Sequence, residues 1–188
     1  MRTSDPKGWH SRGYLPHFDS PGTVQHVVFR TAGSLPPAIL DGLPLDPQKR
    51  RRAAGAFLDG SQFDTVLAER ACAEIVQSTL LHFDGERYRL LAWCVMPNHV
   101  HVALEQCRDW QLGGVIKSWK SFSAHRINAF RRTPGSVWAA DYFDRYVRNE
   151  DQLGALISYV ETNPVKANLT KLPEDWLYSS ARLRGNAP

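Results

Sequence analysis

The chain has 188 residues and a net charge of +4, which results from 23 Lys and Arg against 19 Asp and Glu with neutral histidines. This length predicts one compact domain, and 43% hydrophobic residues supply a core, which excludes wholesale disorder. We expect no membrane span and no secretory signal, because no apolar run is long enough for either. Three cysteines without CxxC spacing argue against a disulfide framework, so we expect a cytoplasmic protein.

The predicted elements follow an arm at 1–22, in which glycine, proline, histidine and aromatic residues favour an extended conformation. Apolar periodicity then predicts a strand at 24–31, helices at 47–58 and 65–83, a hairpin of strands at 88–96 and 99–105, a helix at 110–132, a short strand within 137–147, and a helix from 150 to about 163. Asp46, Asp64 and Asn149 are the expected helix caps, and Pro164 is expected to limit the last helix.

The strands and the longer helices follow the order β-α-β-β-α-β-α. Its first six members match a ferredoxin-like or RRM-like split βαβ sheet, so the sequence predicts an α+β fold. In this fold an antiparallel sheet carries helices on one face, and an extra C-terminal helix follows. The expected boundaries are an arm at 1–22, a domain at 23–170 and a tail at 171–188.

His99 and His101 stand two residues apart on the second strand of the hairpin. Residues i and i+2 of a strand point to the same face, so both imidazoles are expected opposite the apolar Val100 and Val102. Two adjacent imidazoles can chelate one divalent cation. Taken alone, the HxH pattern also fits two unrelated surface histidines.

Tyr159 and Asn163 stand four residues apart on the last predicted helix and therefore share one face of it. Each also has a purely structural interpretation, Tyr159 as a core aromatic and Asn163 as a helix cap. A tyrosine hydroxyl with a pKa of about 10 is a poor nucleophile, but it becomes effective towards a phosphodiester that a metal polarises. Two histidines from a strand and the amide oxygen of Asn163 could hold that metal beside the tyrosine.

A family resemblance is carried by segments spread over nearly the whole chain. They are VMPNHVHVAL at 95–104, VWAADYFDRYVRNEDQL at 137–153, YVETNPVKANL at 159–169 and PEDWLYSSA at 173–181, together with the arm GWHSRGYLPHFD and the strand QHVVFRT. These segments resemble the single-tyrosine HUH transposases, in which two histidines flank a bulky apolar residue. The likeness is greatest to the branch of REP-associated tyrosine transposases.

The resemblance implies a bacterial enzyme that nicks single-stranded DNA, often beside an imperfect hairpin, and transfers strands without an external energy source. Tyr159 matches the nucleophile, which keeps the 5′-phosphate as a phosphotyrosine and releases a 3′-OH. His99 and His101 match the metal ligands. Asn163 matches the polar residue that completes the site, and it keeps an amide oxygen where insertion-sequence relatives commonly have Gln.

The implied cofactor is Mg²⁺ or Mn²⁺, because phosphoryl transfer on DNA usually employs hard ions, although histidines alone would also suit Zn²⁺. The implied partner is a single-stranded DNA hairpin, bound by a monomer or a homodimer without a membrane. Basic residues are candidates for contacts with the DNA backbone, and each also fits a solvated surface. They are Arg30, Arg50, Arg51, Arg52, Lys117, Lys120, Arg126, Arg145, Arg148 and Lys166.

The aromatic residues of the arm, Trp9, Tyr14 and Phe18, have two interpretations. They stack on unpaired bases, as in single-strand binders, or they cover an exposed sheet edge.

For the whole protein, a domesticated hairpin-binding protein with little turnover is an alternative, although all four candidate site residues are present. An RRM-like RNA binder lacks the required paired aromatics on its first strand. A metallohydrolase is less favoured because no acidic residue before Glu105 follows the histidines on their strand.

Overall fold

The computed structural model describes residues 8–11, 16–60 and 63–185. Its strands are β1 (Gly8–Ser11), β2 (Pro16–Asp19), β3 (Val24–Arg30), β4 (Tyr88–Val95), β5 (His99–Gln106) and β6 (Phe143–Tyr146). Its helices are α1 (Pro37–Gly42), α2 (Pro47–Gly60), α3 (Arg70–Leu81), α4 (Leu112–Arg131), α5 (Glu150–Lys166) and α6 (Ser180–Gly185). Within these ranges, no helix combines the length and apolar character needed to span a membrane.

The main sheet has four antiparallel strands in the order β4-β5-β3-β6, and β1 and β2 form a separate antiparallel pair. Placing the first domain strand, β3, between β5 and β6 gives the ferredoxin-like arrangement. The predicted fold class is therefore confirmed. Because side chains alternate across a strand, the register of β3 against β5 decides which residues share a face with the histidine pair.

The two faces of the main sheet carry different apolar clusters. On one face, Val27, Phe29, Val100 and Val102 pack against α3 and α4 and form the main core. On the other face, small side chains of β4 and β5 allow α5 to lie close to the sheet. They are Ala92, Cys94 and Ala103, which pack with Met96 against Leu156, Ile157 and Val160.

Helix α2 also lies over the α5 side of the sheet, which the sequence does not predict. Its buried Ala54 and Leu58 form a small cluster with Leu35 and Leu43, and Phe143 of β6 packs against them. The N-cap of α2 is the predicted one, since Asp46 Oδ1 accepts a hydrogen bond from the Lys49 N–H at 2.8 Å. The last turn of α2 lies beside the histidine pair, where Asp59 approaches both imidazoles.

Several helix bounds differ from the predicted ones by one to five residues, and α1 lies between the strand predicted at 24–31 and the helix predicted at 47–58, where no element is predicted. The helix predicted at 65–83 begins only at Arg70. Asp64 does not cap it, because its φ of 48° is left-handed and its Oδ2 accepts a hydrogen bond from the Gly33 N–H at 2.7 Å. Helix α5, capped by Asn149 as predicted, continues past Pro164 to Lys166, and the proline removes only one backbone donor from it.

The N-terminal arm contains a hairpin, whereas the sequence predicts only an extended conformation. Strands β1 and β2 pair from Gly8 opposite Asp19 to Ser11 opposite Pro16. Strand β2 lies beside β6, the edge strand of the main sheet, and the Phe18 N–H donates to Asp144 Oδ2 at 3.1 Å. The hairpin therefore packs at this edge, as one of the two interpretations of the arm expects; Tyr14 lies outside the described residues.

Candidate metal and nucleophile site

Three side chains of types that can ligate a metal meet on the α2–α5 side of the sheet. Strand β5 places the Nε2 atoms of His99 and His101 2.9 Å apart. Asp59, in the last turn of α2, points its Oδ1 towards them, 3.2 Å from His99 Nε2 and 3.9 Å from His101 Nε2. Two ligands about 2.1 Å from an ion and at right angles around it are about 3.0 Å apart. The spacing therefore suits one divalent cation.

Polar neighbours determine which nitrogen of each histidine faces this cluster. His99 Nδ1 lies 2.7 Å from Asn98 Oδ1, and because an amide oxygen only accepts, Nδ1 donates and Nε2 presents its lone pair to the cluster. His101 Nδ1 lies 3.2 Å from Nε2 of His26 on the neighbouring β3, and the two rings stack with centroids 5.4 Å apart. Both arrangements direct the Nε2 atoms towards Asp59.

Asn163 adds a fourth side chain from α5. It is buried, with Nδ2 3.0 Å from His101 Nε2, and its Oδ1 has no hydrogen-bond partner. Asp59 Oδ1 is likewise buried and accepts no hydrogen bond of good geometry. A half turn of the Asn163 amide brings its oxygen to the histidines. Two such oxygens and two imidazole nitrogens form a donor set that fits a divalent metal ion.

The environment favours the protonation states that bind a metal. Burial lowers the pKa of His99 to about 4, and His101 adds to this effect while Asp59 opposes it. Burial alone would raise the pKa of Asp59, but the His101 and His99 imidazoles hold it well below its usual range. A neutral imidazole and an ionised carboxylate are the ligand forms of these groups.

Tyr159 lies beside the cluster, one turn of α5 before Asn163. Its ring meets the His101 ring edge-on with centroids 5.4 Å apart, and Lys166 Nζ lies 4.8 Å from the centroid of the tyrosine ring. Burial raises the pKa of Tyr159, Asp59 raises it further, and the Asn163 side chain lowers it. The hydroxyl is therefore held as a neutral phenol unless a further cation favours the phenolate.

The histidine pair lies on the face opposite Val100 and Val102, but it is not at the surface. His99 and His101 are 1% and 2% exposed, because α2 and α5 cover this face. The interpretation as two unrelated surface histidines is therefore wrong. The two helices leave a cavity of about 500 Å³, and His99, His101, Asp59 and Tyr159 all line it.

Four of the basic residues proposed from sequence lie near this cavity. Arg52 of α2 and Arg145 of β6 line it, and both are exposed. Lys166 adjoins Tyr159, and Arg148 lies against Tyr146, which also lines the cavity. These four cations can meet a polyanion that enters the cavity.

The other basic candidates lie elsewhere or are engaged within the protein. Lys117 and Arg126 are exposed on α4, which packs on the opposite face, so the sheet separates them from the histidines. Lys120 also belongs to α4, and its ammonium donates to the Ala139 and Ala140 carbonyls at 2.6 and 2.9 Å. These hydrogen bonds give Lys120 a structural role.

Two arginines near α1 and β3 also make internal hydrogen bonds. The Arg50 guanidinium donates to the Leu40 and Leu43 carbonyls at 3.2 and 3.4 Å and joins α2 to α1. Arg30 donates to the Thr31 carbonyl at 3.3 Å. These contacts give both residues a structural role, while the side chain of Arg51 lies outside the described part of the chain.

Asp59, His26 and Asn98 belong to the site although the sequence patterns above do not single them out. His26 has a usable signal, because alternation on β3 puts it on the face of Val28, which pairs with His101. For Asn98, the sequence predicts only a place in the turn of the hairpin. Asp59 has no local signal, since its role depends on how α2 folds back over the sheet.

A ferredoxin-like sheet that carries paired histidines and an adjacent tyrosine has the architecture implied for single-tyrosine DNA transposases. The chain belongs to the family described as Transposase IS200 like, whose profile matches residues 63–163, slightly more than half of the chain. The matched range includes His99, His101, Tyr159 and Asn163, whereas Asp59 precedes it.

Two individual proteins are similar to this chain. A curated protein of Haemophilus influenzae, whose name assigns it to the REP-associated tyrosine transposases, is 21% identical over 106 residues, which are 50% of this chain and 58% of the relative. The chain thus spans 58% of the length of that relative. A solved structure of a REP-associated tyrosine transposase bound to a REP hairpin has a TM-score of 0.64 at 15% identity, covering 92% of this chain and 86% of that chain. The predicted resemblance is confirmed, and the second likeness shows the same fold.

Proposed function

We propose that the protein cuts and rejoins single-stranded DNA at hairpins, with a divalent metal ion as cofactor and Tyr159 as nucleophile. The observation that supports this most directly is the Tyr159 ring 5.4 Å from the His101 ring, in a cavity also lined by His99 and Asp59. All of these residues belong to one chain. We propose that each chain supplies its own tyrosine and histidines, whether the protein is a monomer or a homodimer.

In the proposed reaction, the Tyr159 oxygen forms a bond to the scissile phosphorus, and the bond from phosphorus to the 3′ oxygen breaks. The phenol loses its proton to solvent, and the released 3′ oxygen takes one up. One phosphodiester replaces another, so a 3′-OH can later attack the phosphotyrosine and rejoin the DNA. Burial and Asp59 raise the pKa of Tyr159, and we propose that Lys166, whose Nζ lies 4.8 Å from the centroid of the tyrosine ring, contacts the scissile phosphate.

A metal ion in this site would polarise the phosphate oxygens. We propose that His99, His101, Asp59 and Asn163 hold it. Two of these four ligands are oxygen donors, and the phosphate adds more oxygens. This donor set supports Mg²⁺ or Mn²⁺ as the cofactor.

The proposed DNA is single-stranded at the cut. A strand can reach the histidines only by bending into the cavity between α2 and α5, and a paired strand resists that bend. Arg52 and Arg145, which line the cavity, supply phosphate contacts that do not depend on sequence. The REP-associated relative of known structure is bound to a REP hairpin, and we propose a DNA hairpin as the ligand of this chain as well.

The test is a covalent-adduct assay with Mn²⁺ and single-stranded hairpin DNA from the region that flanks the protein's own gene. The DNA is labelled separately on the two sides of the hairpin, and products are separated on a denaturing gel. We expect an adduct that carries label from the 3′ fragment only and that disappears with EDTA. Tyr159→Phe should form no adduct but bind the DNA within a few-fold of the unmodified protein.

Tyr178→Phe is the matched control, because Tyr178 lies on the C-terminal segment and packs beside the main core on the other face. It should form the adduct normally. Label from the 5′ fragment on the protein would contradict the proposed chemistry. Tight hairpin binding without any adduct would instead favour the domesticated binding protein.

A further inference from the structure

We propose that Trp9, Phe18 and Tyr146 form a stacking platform for an unpaired base of the DNA strand that enters the site. This aromatic platform rests on the proposed single-stranded substrate and names the residues that hold the strand beside the cut. It takes no part in the bond-breaking step.

The three rings form one cluster that joins the N-terminal hairpin to β6. Trp9 and Phe18 are cross-strand partners with centroids 5.1 Å apart, and Tyr146 lies 5.8 Å from Trp9 and 5.1 Å from Phe18. Trp9 is 63% exposed, more than any other tryptophan or phenylalanine in the described part of the chain. A ring that only covered a sheet edge would be buried, so the exposed indole is available to a ligand.

Polar contacts fix the platform before any ligand binds. His17, next to Phe18, is fully buried, with Nδ1 in contact with Asp144 Oδ1 and Nε2 3.6 Å from Asp141 Oδ1. The Phe18 N–H donates to Asp144 Oδ2 at 3.1 Å, and the Phe18 carbonyl accepts from Gln25 Nε2 at 2.7 Å. A surface that is already ordered loses less conformational entropy when it binds.

The platform adjoins the active-site cavity, because Tyr146 lines that cavity. The register pairs His101 with Val28 and Val28 with Phe143, so Tyr146 lies two strands away and three residues further along. Because this offset is odd, the Tyr146 side chain starts on the opposite face of the sheet from His101, and a bound strand passes around the β6 edge to reach the rings. With about 4.8 Å between strands and 3.3 Å per residue, the Cα atoms of His101 and Tyr146 are roughly 14 Å apart. At least about four stacked nucleotides, at about 3.4 Å each, are needed to span this distance around the edge of the sheet.

The charge beside the rings suits a nucleotide as the occupant. The Arg148 guanidinium carbon lies 5.2 Å from the Tyr146 ring centroid, and Arg148 Nε donates to the Tyr146 hydroxyl at 3.2 Å. Arg145, next to Tyr146 in sequence, is exposed and lines the cavity. Aromatic faces with guanidinium groups beside them hold both a base and its phosphate in proteins that bind single strands.

The test measures, by binding affinity alone, whether the effect of removing a base depends on Trp9. Affinity is measured for the Tyr159→Phe protein and a hairpin oligonucleotide in which each unpaired nucleotide is replaced in turn by an abasic one. We expect one position, about four or more nucleotides from the cut, at which loss of the base weakens binding about 5- to 150-fold. Adding Trp9→Ala should weaken binding to the intact oligonucleotide similarly and abolish this abasic penalty, whereas Trp9→Phe should retain most of it.

Phe122→Ala is the control, because Phe122 is 55% exposed on α4, across the sheet from the site. It should leave the abasic penalty unchanged. The platform is overturned if, at every position, the loss of affinity caused by the abasic nucleotide is the same with and without Trp9→Ala. It is also overturned if the protein shows no measurable binding to the hairpin oligonucleotide. Coupling at Trp9 without any adduct from the unmodified protein would reject the proposed reaction alone, and an adduct without coupling would reject the platform alone.

Discussion

The cluster of His99, His101 and Asp59 and the cluster of His17, Asp141 and Asp144 are built from the same two residue types. Both bury their imidazoles almost completely. They lie on opposite faces of the sheet, since Asp144 pairs with Val27 of the main core while the histidine pair faces α2 and α5. One cluster has two imidazoles and one carboxylate, and the other has one imidazole and two carboxylates.

This difference in composition reverses the charge of the histidine. At His99, burial and the neighbouring imidazole outweigh one carboxylate, and the pKa falls to about 4. At His17, burial alone would lower the pKa, but Asp141 and Asp144 raise it to about 9. A neutral imidazole has a lone pair for a metal, whereas a charged one binds carboxylates and anchors a segment. Burial by itself therefore does not tell a ligand histidine from a structural one.

The largest effect that separates the two clusters is expected on metal binding. His99→Ala and His101→Ala should each weaken Mn²⁺ binding more than about 100-fold, because loss of a ligand should exceed the 10–100-fold effect of an outer neighbour. Isothermal titration calorimetry measures this, and circular dichroism checks the fold. His17→Ala and His125→Ala, an exposed histidine on α4, should leave Mn²⁺ affinity unchanged. An equal loss from His17→Ala would refute the assignment of the two clusters.

An intermediate effect is expected from the carboxylates. Asp59→Asn removes the charge but keeps the size, so Mn²⁺ affinity should fall by at least about 10-fold, comparable with the loss of a supporting group. Asp144→Asn should leave Mn²⁺ affinity unchanged and loosen the N-terminal hairpin, because Asp144 contacts both His17 and the Phe18 N–H. Titration calorimetry and limited proteolysis separate the two outcomes. Unchanged Mn²⁺ affinity in Asp59→Asn would remove Asp59 from the proposed ligand set.

The fold and part of the site are predictable because their signals are local. Alternation along β5 puts His99 and His101 on one face, and helical spacing puts Tyr159 and Asn163 on one side of α5. To place these four residues on their faces, the sequence must correctly predict only one strand and one helix. That they come together follows from the order of the elements, which the apolar pattern also predicts.

The remaining site residues depend on contacts between distant parts of the chain. Asp59 reaches the histidines only because α2 packs on Phe143 of β6, and no periodicity within α2 encodes that contact. His17 finds its carboxylates on a segment more than a hundred residues later. Helix α1 has only six residues, fewer than two turns, which is too short for a periodic signal.

The smallest effect concerns the pH dependence of His17. A histidine whose pKa is raised from 6.5 to about 9 stabilises the folded state fully below pH 6.5, and this contribution is lost as the pH rises through about 9. The expected size is about 1–2 kcal/mol, below the full value of the shift because Asp141 is partly exposed and screened. The measurement is the free energy of unfolding in urea of the unmodified protein and of His17→Gln between pH 6 and 10.

The difference between the two proteins is the quantity to follow, because Lys120, whose pKa burial lowers to about 8, titrates in the same range in both. This difference should be largest near pH 6 and shrink towards pH 10. In the Asp144→Asn background, the pH dependence of the His17→Gln difference should become smaller, since Asp141 alone, at 3.6 Å, raises the pKa of His17 less than two carboxylates do. A difference that is constant with pH would mean that His17 is neutral in the folded protein. The two clusters would then differ in geometry but not in charge.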